Sequence, residues 1–140
     1  MKGRAERLLE ADQYARTMGI RLVSVEPPSV TISMTVTEAM NNFHGGMHGG
    51  ALFSLADCAF SLASNLPGDM AVAIDTHLVL SSSPAVGEQL TAVAEEVHRG
   101  RTLATYRVMV TRPNGRVAGH FTGTVFINPQ GASGGDRSPK

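Results

Sequence analysis

The longest regular pattern of apolar positions runs through residues 51–66. There Leu52, Leu55, Ala56, Ala59, Leu62 and Ala63 recur at three- and four-residue spacing. That spacing lays one apolar stripe along a helix. Gly49 and Gly50 stand where the helix should begin, and Pro67-Gly68 where it should stop. A second helical pattern over residues 3–18 turns Leu8, Leu9, Ala11, Ala15 and Met18 inward and ends at Gly19. Elsewhere the period is two. Residues 20–25 and, past Pro27-Pro28, residues 30–36 predict strands; in the latter Val30, Ile32, Met34 and Val36 alternate with Thr31, Ser33, Thr35 and Thr37. Residues 72–80, 89–98, 102–111 and 116–127 predict four more, separated by the Ser81-Ser82-Ser83-Pro84 turn, a tight connection over residues 98–101 and the hairpin signal Pro113-Asn114-Gly115.

Strands joined by short turns, with one long apolar helix before four of them, predict an α+β fold in which a curved antiparallel sheet wraps a central helix. One such layer leaves an outer sheet face and an edge strand uncovered, so self-association is expected.

Composition changes this picture little, and charge changes it more. With 140 residues, a single domain over residues 1–127 is expected, followed by a disordered Gly/Ser/Pro-rich tail at 128–140. Twelve basic and twelve acidic residues leave no net charge, which argues against a nucleic-acid binder acting through bulk positive charge. No Lys or Arg occurs between Leu22 and His98, although that span holds eight acidic residues. Among residues 51–66 Asp57 is the one charge, at the edge of the apolar stripe. A carboxylate there costs free energy unless something pairs with it or uses it. The single Cys58 excludes an intrachain disulfide and a CxxC metal motif, and it is expected to pack as a small hydrophobe. His44 and His48 are four residues apart but sit in a Gly-rich turn rather than on a helix, so with Asp57 they do not suggest a metal site, and no metal or other cofactor is expected. The charged start of the chain lacks a signal-peptide core and no stretch is apolar enough to span a bilayer. A cytoplasmic protein with no membrane partner is therefore expected.

The spacing Asn42-x5-His48-Gly49-Gly50-x6-Asp57 resembles the signature of hotdog-fold acyl-CoA thioesterases of the phenylacetate-degradation (PaaI) type. Ala73-Ile74-Asp75, Ser83-Pro84-x2-Gly87-Glu88, His98-x-Gly100-Arg101 and Gly115-x-Val117-Ala118 are similar to that family's later strands. The resemblance implies a dimer joined sheet edge to sheet edge, paired into a tetramer, with active sites between subunits. It implies that the Gly49 N–H polarises the thioester carbonyl and that Asp57 acts as general base or nucleophile. Asn42 and His48 would hold the turn and the carbonyl in register, and Gly50 and Phe53 would border the substrate. Arg99 and Arg101, flanking Gly100, would meet the phosphates of coenzyme A. Met47, Leu52 and Phe60 are further candidates for the pocket lining. Two positions depart from the family pattern: Ala73 stands where many members carry Ser or Thr, and Ser83 where a basic residue is common. The competing readings are an acyl-CoA-binding module without catalysis and an acyl-thioester dehydratase.

Overall fold

The computed structural model describes residues 1–128; all but the first residue of the expected tail lies outside the described residues. The chain runs α1 (Lys2–Ala11), α2 (Gln13–Thr17), β1 (Arg21–Glu26), β2 (Ser29–Thr35), a 3-10 turn at Glu38–Met40, α3 (Gly49–Asn65), β3 (Met70–Leu80), β4 (Gln89–Arg99), β5 (Leu103–Thr111) and β6 (Val117–Asn128). The strands form one antiparallel six-stranded sheet in the order β1-β2-β4-β5-β6-β3, with α3 packed against it. This is the α+β hotdog arrangement expected from the sequence.

Two details differ from the pattern-based reading. The helix expected over residues 3–18 is broken at Asp12, whose backbone is extended and whose Oδ1 accepts the Ala15 N–H at 3.0 Å, capping α2. A short acid that satisfies an orphan amide offers the chain a restart in place of a continuation. Ala5 is accordingly buried and Ala11 exposed, whereas Leu9 and Ala15 face inward as expected. Second, β3 and β4 are not neighbours. Residues 81–88 carry the chain from β3 at one edge to β4 beside β2. Eight extended residues reach about 26 Å, more than the roughly 14 Å across three strand spacings, so the crossing is easy.

The core explains why α3 sits where it does. Small residues on the sheet, Ala92, Ala94 and Ala104, let the helix approach, and Leu55, Ala56, Ala59 and Phe60 fill the space beneath it. Phe60 packs at 5.3 Å (ring centroids) from Phe121 and 6.0 Å from Tyr106. A Cβ on Gly123 would lie 2.8 Å from the Phe60 ring, so the strand is bare where the ring crosses it. Asn65 closes the far end of α3: its Nδ2 donates to the Ala71 carbonyl at 3.1 Å and its Oδ1 accepts the Ala71 N–H at 2.9 Å, locking β3 to the helix.

Candidate active site

The start of α3 is built by two side chains that satisfy local backbone groups. Asn42 Oδ1 accepts the N–H groups of His44 (2.9 Å) and Gly46 (3.2 Å), shaping the Gly-rich turn. His48 is the N-cap of α3, its Nδ1 accepting the Gly50 N–H at 2.9 Å. With Gly50 so occupied, the Gly49 N–H is the first helical amide with no acceptor among the described residues. It lies on a groove of about 340 Å³ lined by Asn42, Met47, Leu52, Leu80, Pro84 and the hydroxyl-bearing run from Ser81 to Ser83. An unpaired amide at a helix N-terminus carries partial positive charge and suits a developing oxyanion.

Asp57 sits elsewhere. It shares a separate cavity of about 280 Å³ with Asp12, Tyr14, Ile20, Phe53, Ser54 and Cys58. No hydrogen bond or ion pair reaches its carboxyl among the described residues. Burial, and after it the negative charge of Asp12, push its proton affinity above the ordinary aspartate value. The same burial, with Asp12 and Asp57 adding to it, pushes the Cys58 thiol up to about 12, so Cys58 is an inert buried thiol. Eight helix positions separate Gly49 from Asp57. That is about 12 Å along the axis, too far for both to act on one carbonyl within one chain.

The structure thus brings Asn42, Gly49, Met47 and Leu52 to one groove and Asp57 and Phe53 to another, while Gly50 is spent on the cap. Phe60 lines neither and belongs to the core. The turn holding Arg99, Gly100 and Arg101 lies at the opposite end of α3. Arg99 Nη1 donates to the Tyr106 hydroxyl (3.1 Å) and the Ser64 carbonyl (3.4 Å), and Tyr106 in turn donates to Glu96 Oε1 at 2.8 Å. Burial and the Glu96 contact hold the Tyr106 hydroxyl up at about 12.

Thr76 lies on the face opposite Asp75, as strand alternation requires, but a bulge brings Ala73 onto the same face as Thr76. Ile74 forms a bulge against β6, so Ala73 pairs with Val125, Asp75 with Thr124 and Thr76 with Gly123. Paired residues share a face, and Gly123 and Val125 face the helix. Ala73 and Thr76 therefore lie on the helix side, with Asp75 and His77 on the outer face. Sequence reasoning missed Asp12, Tyr14, Ser81 and Ser82 as lining, while Ser83 stands out there as a departure from the family pattern. The N-cap pattern of Asp12 left a trace in the sequence, but it marked a helix start rather than a site. Among the described residues no group of three or more His, Cys, Asp or Glu side chains could hold a metal ion, and no helix is long and apolar enough to cross a membrane.

Residues 44–118 match the thioesterase superfamily, spanning α3 and strands β3 to β5. The chain belongs to that superfamily. Among its relatives is a putative esterase of Deinococcus radiodurans, 46% identical over 83% of this chain and 80% of the relative. The acyl-coenzyme A thioesterase PaaI of Escherichia coli is 34% identical over 85% of each chain. The solved structure of E. coli PaaI superposes with a TM-score of 0.88 at 32% identity, covering 91% of this chain and 92% of that one. The PaaI-type resemblance and the hotdog fold both stand on these matches. Family membership makes this thioesterase a hydrolase of thioester bonds, so the unpaired Gly49 amide and the unpaired Asp57 carboxyl are the groups to weigh for that chemistry.

Proposed function

We propose that this thioesterase hydrolyses acyl-CoA thioesters whose acyl group is small or medium, phenylacetyl-like aromatic groups included. The observation that carries the reading is the unpaired Gly49 N–H facing an apolar-walled groove, with an unpaired carboxyl on the same helix too distant to serve the same carbonyl. That separation makes sense if the site is completed by a second copy, whose Asp57 faces the Gly49 turn of the first. The thioester oxygen would accept the Gly49 N–H, with Asn42 beside it on the groove wall. Asp57 of the second copy would take a proton from water as the water oxygen attacks the carbonyl carbon. The oxyanion would be held by the amide until the C–S bond breaks and the CoA sulfur leaves and is protonated. The raised proton affinity of Asp57 suits a base, since it strengthens the proton acceptor.

In such an assembly Arg101 of one subunit, with the Arg99 nitrogens not spent on Tyr106 and Ser64, would meet the phosphates of CoA bound at the other. The working form would be a homodimer paired into a homotetramer in the cytoplasm, serving breakdown of phenylacetate-like acids.

The test is thiol release from a panel of acyl-CoAs (acetyl, hexanoyl, lauroyl, benzoyl, phenylacetyl and hydroxylated phenylacetyl) by the wild type and Asp57→Asn. A loss of about a hundredfold or more in the folded variant places Asp57 in the chemistry, and the panel orders the substrates. No release from any of them, with thermal stabilisation by the same ligands, would overturn the reading in favour of a binding module.

A further inference from the structure

Asp57 is enclosed from the N-terminal side by a segment whose geometry is tightly set. Asp12 stands between α1 and α2, where its Oδ1 is held by the Ala15 N–H at 3.0 Å. The Tyr14 hydroxyl meets Ser54 Oγ at 3.0 Å, fastening α2 to α3 one turn before Asp57. Arg4 Nε donates to the Asn65 carbonyl at 2.7 Å and fastens α1 to the end of the same helix. The Asp12 and Asp57 carboxyls therefore share one cavity wall by construction, with a cap bond aiming one of them.

Among the described residues no cation lines the cavity. Its titratable members are Asp12 from the α1–α2 junction, Tyr14 from α2, and Asp57 and Cys58 from α3; Ala15, Ile20, Phe53, Ser54 and Ser61 complete it without charge. Arg16 lies on α2 but borders a different hollow, with Gln13 and Thr17. Beneath α3 the sheet presents apolar residues such as Ala92, Ala94 and Val108. The nearest charges from that side, Glu96 and Arg99, are gathered at the Tyr106 and Ser64 end. Among the described residues of one chain, Asp12 is thus the one neighbouring charge lining the cavity.

We propose that Asp12 is a positioning residue for the hydrolysis: its carboxylate, held by its own helix cap, sets the negative field in which Asp57 takes up its proton. It acts through Asp57 and need not touch the substrate. The inference rests on the proposed role of Asp57 as base. Burial alone would strengthen that base, and the second carboxylate strengthens it further at the expense of activity in acid, where Asp57 is protonated. Because Asp12 is itself in contact with solvent, salt should weaken its influence.

The experiment compares wild type, Asp12→Asn and Asp12→Ser, two replacements that are themselves good N-caps and so keep α2 in place while removing the charge. Two readouts are taken at low and high salt: the acid limb of the kcat/KM profile, and the carboxyl carbon titration of Asp57 by NMR, which needs no turnover. The expected result is an acid limb moved to lower pH in both variants. kcat/KM on that limb should be about twofold or more above wild type at low salt, the gain shrinking at high salt, and the Asp57 resonance should titrate in step. Charge removal from the solvated Glu10 of α1 as Glu10→Gln should move neither readout. An Asp57 titration identical in wild type and both folded variants overturns the proposal. If no acyl-CoA is turned over, the NMR titration still decides whether Asp12 sets the state of Asp57, and only the catalytic reading fails.

Discussion

Gly49 can lose its N–H without losing its helix. It is the first residue of α3, where proline is tolerated because that amide has no intrahelical acceptor. His48 before it is already extended (φ −65°, ψ 133°), the conformation a following proline demands. The nearest atom to an added Cβ is the flexible end of Leu80, at 3.2 Å. Gly49→Pro should therefore unfold at nearly the wild-type temperature while kcat/KM falls by about 10²–10³, the usual cost of removing one oxyanion donor. Calorimetry with steady-state kinetics checks both halves, and unimpaired turnover would remove Gly49 from the chemistry. Asp57 has a stability signature of its own. Its folded-state proton affinity is raised by burial and then by Asp12, so its contribution is fullest below the unfolded-state aspartate pKa and is lost as pH rises through the folded one. Asp57→Asn should accordingly melt higher than wild type at neutral pH, with the gain fading in acid.

Between elements the decisive contacts are a cluster of tilted rings and an ion pair. Phe60 of α3 has no solvent exposure and lies over Gly123 of β6. Phe60→Ala should cost about 3–5 kcal/mol by leaving a cavity. Gly123→Ala should cost about 1–3 kcal/mol by pressing a methyl into two rings, and denaturant midpoints measure both. Where β4 begins and β5 ends, Arg112 Nε and Nη2 bond Glu88 Oε1 and Oε2 at 2.9 and 2.8 Å. The Arg112 hydrogen bonds hold the Glu88 carboxyl below the ordinary glutamate range. A lowered folded-state pKa gives stability that is present above the unfolded pKa and lost as pH falls through the folded one. Glu88→Gln should thus lower the melting temperature at pH 7, and the difference from wild type should close as the buffer is taken into the acid range.

The whole molecule carries an exposed edge. Among the described residues β3 pairs with β6 on one side and with no strand on the other, and Met70, Ile74, Val79 and Leu80 are exposed along it. An apolar, unpaired strand is a template for another copy. If two chains join there, light scattering should return multiples of 14.8 kDa. The double replacement Ile74→Lys, Val79→Lys should shift the protein to monomer and abolish turnover together, because each site would need residues from two chains. A fully active monomer would refute the shared site.

Much of this protein is legible in its sequence because local rules act on adjacent residues. Period-two and period-3.6 patterns placed six strands and α3 to within a few residues, and the Asn42–Asp57 spacing marked both the helix start and its one acid. The stop at Gly19, with φ +75°, followed from the same rules. What local pattern does not carry is which groups meet across the chain. Asp12 was a polar position in a helix until tertiary packing set it beside Asp57. Arg99 was a loop cation until the sheet carried it to the end of α3. Ala73 and Thr76 share a face only because a bulge at Ile74 shifts alternation by one residue, an event the partner strand dictates. Periodicity decides which residues turn inward, since each local choice is weighed against water. The fold alone decides which of them share a cavity, because that depends on strand order and helix placement set by the whole core.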